Sequence, residues 1–113
     1  MSASTLLQIV HDGMGAAPPD LQHALLRKYL LLLRENADLP GAICFYTLGV
    51  QMVVDGSPVL DVLQALEAAG VRLIVCRTCL EHFGVVDKVR VGTIGGMGDI
   101  LAAQSLAEKV ITL

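Results

Sequence analysis

Polar and apolar positions along the chain fall into two alternating patterns, short apolar runs and longer stretches of helical period. Leu6 to Val10 is an uninterrupted apolar run, apart from Gln8, that stops at Asp12-Gly13-Met14-Gly15. This pattern predicts a buried parallel strand followed by a glycine-rich turn into a helix. Pro18-Pro19-Asp20 opens that helix, since proline is tolerated in a first helical turn and an acid there suits the dipole. The helix is expected to run to about Asn36. Its polar positions Asp20, His23, Arg27 and Arg34 form one stripe, while Leu21, Leu25, Leu26, Tyr29, Leu30, Leu32 and Leu33 cover most of the remaining surface. That is more apolar surface than contact with one sheet requires.

Leu39-Pro40-Gly41 breaks the chain, and Ala42 to Thr47 reads as a second strand ending at Leu48-Gly49. Ser57-Pro58 predicts an N-cap with proline at the first helical position, and Leu60, Leu63, Ala65, Leu66 and Ala69 keep helical spacing until Gly70. A third strand is expected over Val71 to Val75, and a short helix over about Cys79 to Phe83, ended by Gly84. A fourth strand is expected over Val89 to Val91, then a glycine-rich loop from Gly92 to Gly98. A helix over Asp99 to Glu108 and a last strand at Val110 to Thr112 complete the chain. Strands alternating with helices predict an α/β fold: a three-layer α/β/α domain over residues 1–113 with a mainly parallel five-stranded sheet, its crossovers right-handed. In such folds chemistry gathers at the carboxyl ends of strands. The loops there are Asp12 to Ala17, Leu48 to Val50 and Cys76 to Cys79.

Composition narrows the function classes. Apolar residues make up 54% and charged residues 17% of the 113-residue chain, which points to apolar surface buried against another subunit. With net charge −3 and only 8 Lys and Arg there is no basic stripe, so neither nucleic acid nor an anionic membrane surface is an expected partner. The leucine-rich stretch Leu25 to Leu33 is interrupted by Arg27 and Lys28 and falls short of the ~20 apolar residues of a membrane span. The N-terminus shows no export signal. Three cysteines are too few and too unevenly placed for a disulfide framework, so free thiols and a cytoplasmic location are expected.

Two of those cysteines define the candidate centre, Cys76-Arg77-Thr78-Cys79. Cys76 is placed where the third strand ends and Cys79 where the next helix begins, near unpaired backbone N–H groups. Together with the Arg77 cation this environment is expected to lower a thiol from ~8.5 toward neutrality and make it nucleophilic. Three other readings stand beside this one. In one, both cysteines are simply small buried residues, although a pair at a strand's carboxyl end is rare for that use. A zinc site would draw on Cys76, Cys79 and His82, with Cys44, His11 or His23 as the fourth ligand. A thioredoxin-like oxidoreductase would carry its motif after an early strand with a proline late in the chain, and here the motif follows every proline.

The stretch Gly70-Val71-Arg72-Leu73-Ile74-Val75-Cys76-Arg77-Thr78-Cys79-Leu80-Glu81-His82-Phe83-Gly84 resembles the DsrE/DsrF-like family, and most closely its YedF-type sulfurtransferase-like branch linked to selenium metabolism. Asp87 to Gly92, the Gly49-Val50 and Asp55 to Leu60 stretch, and Gly13-x-Gly15 are similar to the same branch. The resemblance spans about Leu6 to Leu113. It implies that Cys76, eight residues before Gly84, takes the sulfur-accepting position, and that Cys79 is a second thiol able to resolve or share the sulfur by thiolate exchange. Arg77 stands where the branch has glycine, Thr47-Leu48 where Asn-Ser is common, and Gly95 to Gly98 where an Asn-Met-Tyr type of stretch is usual. The resemblance further implies a homo-oligomer, trimeric or hexameric. It also implies a sulfur-carrier protein or cysteine desulfurase acting in trans, because the small sulfur-carrier domain that often precedes this one is missing from the sequence.

The candidate site therefore comprises Cys76 and Cys79 as reacting thiols, with Gly13, Gly15, Gly49, Arg77, Thr78 and His82 as binding residues; no metal or cofactor is expected. His82, one helical turn after Cys79, is placed to help ionise it. His11 and Asp12 end the first strand and face the same crevice if the fold is as expected. Cys44 is assigned to the core. The function expected is persulfide relay, with a non-catalytic oligomeric module bearing redox-sensing or metal-binding thiols as the alternative.

Overall fold

The computed structural model describes residues 1–113. It contains β1 (Thr5–Ile9), α1 (Pro19–Glu35), β2 (Ala42–Phe45), α2 (Leu60–Ala68), β3 (Arg72–Cys76), α3 (Arg77–Phe83), β4 (Thr93–Gly95), α4 (Met97–Leu106) and β5 (Lys109–Thr112). A 3-10 segment, Thr47–Val53, follows β2, and a shorter one, Val86–Lys88, precedes β4. All five strands are parallel in one sheet of order β4-β3-β2-β1-β5. The connections through α1 and α2 step in one direction across the sheet and the connection through α4 steps back. Right-handed crossovers therefore place α1 and α2 on one face and α4 on the other.

Alternation along the strands sorts the side chains between these faces. Leu7, Ile43 and Leu73 stand in register on the α1–α2 side, as do Ile9, Phe45 and Val75, and all are buried together with Leu26, Leu30, Leu63 and Leu66. On the opposite side Gln8, Cys44, Ile74 and Thr112 align beneath α4. Gln8 is only 6% exposed, and both the nitrogen and the oxygen of its amide are hydrogen-bonded. Its Nε2 donates to Thr112 Oγ1 at 2.9 Å, and its Oε1 accepts from Gln104 Nε2 at 2.6 Å and from the Cys44 thiol at 3.7 Å. This buried polar cluster ties β1, β2, β5 and α4 together and satisfies itself, as a polar group in a core must.

Several boundaries differ from the expected ones for identifiable reasons. β2 stops at Phe45, because Thr47 takes a positive φ of 50° and starts the 3-10 segment. Ser57 does not cap α2: its hydroxyl accepts from Val59 N–H at 3.2 Å, Pro58 stays outside the helix, and the helix begins at Leu60. Val89 to Val91 is not the fourth strand. Asp55 and Arg90 donate backbone bonds to Lys88 and Val53, so this stretch lies against the end of the 3-10 segment, with Val54 and Val89 bridged. The strand is the glycine-flanked Thr93–Gly95 instead, a short edge whose pairing comes from β3 rather than from its own composition. α4 starts at Met97, two residues early, because the Asp99 carboxylate folds back to accept from Gly96 N–H at 2.8 Å. No helix is long and apolar enough to cross a membrane.

Candidate functional site

β3 is a run of buried apolar residues, Leu73 to Val75, that delivers Cys76 to the carboxyl end of the sheet. Cys76 is its last residue, extended at φ −69° and ψ 115°, and α3 begins with the next one. Cys76 is in register with Gly95 at the end of β4. The chain leaves β3 and β4 in opposite directions across the sheet, so the crevice between these two strand ends is the topological switch point where open α/β sheets place their sites.

The two thiols are unequal. Cys76 is 1% exposed, whereas Cys79, in the first turn of α3, is half-buried. Cys79 Sγ accepts a hydrogen bond from the backbone N–H of Thr47 at 3.1 Å. Burial pushes the Cys79 thiol up from its ordinary value; the Thr47 N–H pulls it back, and a side-chain hydrogen bond with Cys76 and charge repulsion from it add to the rise. The expectation that the helix start and Arg77 would lower this thiol is therefore corrected. α3 is seven residues long, so its dipole is small, and Arg77 is exposed and does not act on Cys79.

Thr47 was not among the candidate residues, yet its backbone N–H bonds the Cys79 sulfur. Its single hydroxyl proton lies between two acceptors, Val10 O at 2.6 Å and Tyr46 O at 2.7 Å. This anchor holds a β-branched residue at φ 50°, a conformation such residues rarely adopt. The neighbouring 3-10 segment sits on the end of β1 so closely that a Cβ on Gly49 would lie 1.8 Å from Ile9 O. Gly49 is thus accounted for by close approach of two backbones. The only sequence signal for this arrangement was the position of the loop, at the carboxyl end of a strand and followed by glycine.

The remaining candidates divide. Arg77, Thr78 and His82 are exposed on α3 beside the thiols, and His82 meets Phe83 edge to face, with ring centroids 5.0 Å apart, rather than Cys79. Gly13 and Gly15 lie in the β1–α1 loop, folded onto α1: Met14 N–H donates to Gln22 O, and Gln22 Nε2 donates to Gly15 O. A Cβ on Gly13 would be 2.6 Å from the Gln22 backbone, so packing explains this glycine. Asp12 pairs with His23 at 3.0 Å, and both line a cavity of about 240 Å³ with Gln51, Asp55 and Ser57. A larger cavity of about 520 Å³ lies along β3 and β4 between Glu67, Arg72 and Asp99. Neither takes in a cysteine. No three His, Cys, Asp or Glu side chains are gathered so as to hold a metal ion, and Cys44 is committed to Gln8 beneath α4, its thiol pushed up to about 12 by burial.

Beside these polar side chains, three exposed apolar ones stand on the elements that meet at the site. Leu48 beside Thr47 is 47% exposed, Phe83 at the end of α3 is 36% exposed and Met97 at the start of α4 is 52% exposed.

Comparison with known proteins gives a consistent placement. The family described as DsrE/DsrF-like matches residues 17–113. Among solved structures, the chain is similar to MTH1491 from Methanobacterium thermoautotrophicum, titled a protein of unknown function, with TM-score 0.70 and 22% identity over 96% of this chain and 97% of that one. The ychN protein from E. coli superposes with TM-score 0.71 and 17% identity over 96% and 97% of the two chains. BT1422 from Bacteroides thetaiotaomicron, a conserved protein of unknown function, gives TM-score 0.68 and 22% identity over 100% and 98%. No curated protein matches the chain.

Proposed function

The chain belongs to the DsrE/DsrF-like family, which is associated with sulfur relay, and from that premise we propose that it carries sulfane sulfur on the Cys76–Cys79 pair and passes it to a partner thiol. The observation that carries this reading is the pair itself: two free thiols three residues apart at the switch point, one of them held by the Thr47 N–H at 3.1 Å. Sulfur moves between such groups by thiolate attack at sulfur, which needs no cofactor.

Cys76, at the strand end, is the carrier. The exposed Leu48, Phe83 and Met97, on the loop and helices next to the pair, suit docking of a protein that presents its own thiol, such as a cysteine desulfurase or a sulfur-carrier protein. The Cys-x-x-Cys spacing favours the YedF-type branch. We further infer that residues 1–113 act as one domain in a cytoplasmic homo-oligomer. The support is the exposed apolar surface of α1 (Leu21, Leu25, Leu32) and of α4 (Leu101, Leu106). Light scattering of wild type and Leu101→Glu tests the assembly; a wild-type monomer at micromolar concentration contradicts it.

The function is tested by intact-mass analysis after incubation with a cysteine desulfurase and cysteine. Wild type is expected to gain one sulfur atom that a reducing thiol removes, and the Cys76→Ser/Cys79→Ser double variant to gain none. Equal gain by the double variant, or none by wild type, contradicts the reading.

A further inference from the structure

The unequal exposure of the two thiols and the setting of Thr47 bear on the order of events in sulfur relay, and the inference rests on that reading of the pair. We propose that Cys79 is the receiving thiol, that Cys76 is the protected store behind it, and that Thr47 is a positioning residue whose backbone N–H holds the Cys79 sulfur for exchange.

Four observations carry this. Cys76 is 1% exposed, so an in-line approach by an external sulfur to its Sγ is blocked, while Cys79 is half-buried at the surface of α3. Thr47 N–H points at Cys79 Sγ at 3.1 Å, where it stabilises negative charge on that sulfur. Its direction is not accidental to the loop. Tyr46, extended at ψ 170°, sets the plane of this N–H, Thr47 follows with φ 50°, and its hydroxyl bond to Val10 O at 2.6 Å ties the conformation to the end of β1. Leu48, next in sequence and 47% exposed, puts an apolar contact beside the same sulfur for an approaching protein.

The steps balance without an oxidant or reductant. The Cys79 thiolate attacks the outer sulfur of a partner cysteine persulfide; one S–S bond forms, the partner's S–S bond breaks, and the partner leaves as thiolate. The Cys76 thiolate then attacks the outer sulfur of the Cys79 persulfide, which forms the Cys76 persulfide and releases Cys79 as thiolate. The proton between the two cysteines moves in the opposite direction. Delivery to an acceptor thiolate runs through Cys79 by the same exchanges in reverse.

The test is single-turnover loading from a small-molecule persulfide, read by intact mass. Cys79→Ser is expected to load at least about tenfold more slowly than wild type, whereas Cys76→Ser still takes up one sulfur but loses it rapidly to cyanide. Thr47 is read in the Cys76→Ser background by the pH profile of Cys79 alkylation. Thr47→Val, which keeps the shape and deletes the hydroxyl anchor, is expected to move that profile upward by about one pH unit. Thr47→Ser, which keeps the anchor, is expected to restore it. Loading of Cys79→Ser at the wild-type rate overturns the assignment of Cys79 and leaves sulfur relay standing. An unmoved profile in Thr47→Val overturns the role of Thr47. Failure of every form, wild type included, to load sulfur overturns the underlying reading instead.

Discussion

Replacement of Gly49 by alanine tests the packing that places the site. The added Cβ would lie 1.8 Å from Ile9 O, 2.5 Å from Ile9 C and 3.1 Å from Val10 N, all backbone atoms at the end of β1. Relief requires the 3-10 segment to retreat by more than an ångström. It is not free to do so, because Val50, Met52 and Val53 in the same segment are buried in the core, none more than 1% exposed. Overpacking of this kind costs about 1–3 kcal/mol, and a clash with backbone rather than with a flexible side chain belongs at the upper end, about 3 kcal/mol. For a chain of this size that lowers Tm by roughly 12 °C. Gly15→Ala is the internal control: Gly15 has φ 69° but nothing within 4 Å of its would-be Cβ, so only backbone strain of about 1 kcal/mol is expected. Thermal unfolding by circular dichroism at matched protein concentration compares the two. Gly49→Ala within about 0.5 kcal/mol of wild type, or Gly15→Ala the more damaging, refutes the argument.

Three other outcomes follow from burial and hydrogen bonding. In native protein at neutral pH an alkylating reagent is expected to label Cys79 first and Cys44 only after denaturation, as peptide mapping will show; equally rapid labelling of Cys44 contradicts its place beneath α4. Burial raises the Cys44 thiol from 9.0 to about 12, and burial raises Cys79 also, so the folded state retains protons that the unfolded chain releases. Stability is therefore whole below pH 9 and falls as pH rises from 9 toward 12, which urea titrations across that range will register; rising stability would refute the sign. Gln8→Leu leaves the Gln104 amide, Thr112 hydroxyl and Cys44 thiol without their shared partner and is expected to cost about 1–3 kcal/mol despite the more apolar side chain; an unchanged urea midpoint contradicts a structural role for the cluster.

The sheet was legible where sequence period and tertiary demand agree. The runs at β1, β2 and β3 are buried on both faces and read as strands, and Gly70 and Gly84 stop their helices at the expected places with φ of 101° and 67°. β4 was misplaced because Val89 and Val91 have the composition of a strand while Thr93–Gly95 has the partner. Gln8 interrupts an apolar run with nothing in the sequence to show that Gln104, 96 positions away, would satisfy it.

At the site, the location of Cys76 and Cys79 was readable from strand, motif and helix in succession. Their inequality was not, since burial of Cys76 depends on elements far apart in sequence. Thr47 was hidden for the same reason: a backbone N–H carries no sequence signature, and the residue sits in a left-handed conformation that a β-branched side chain argues against. Gly13 and Gly49 were visible as glycines, but what they approach, the α1 backbone and the end of β1, appears only in the fold.

The most direct test of the central claim follows labelled sulfur through the protein. A donor persulfide carrying isotopically heavy sulfane sulfur is mixed with the chain and then with an acceptor thiol, and the label is located by peptide mass spectrometry at each stage. The label is expected on the peptide containing Cys76 and Cys79 and then on the acceptor, with transfer faster than in a reaction lacking the protein. Label confined to Cys44, or transfer to the acceptor at the same rate without the protein, would contradict sulfur relay by this chain.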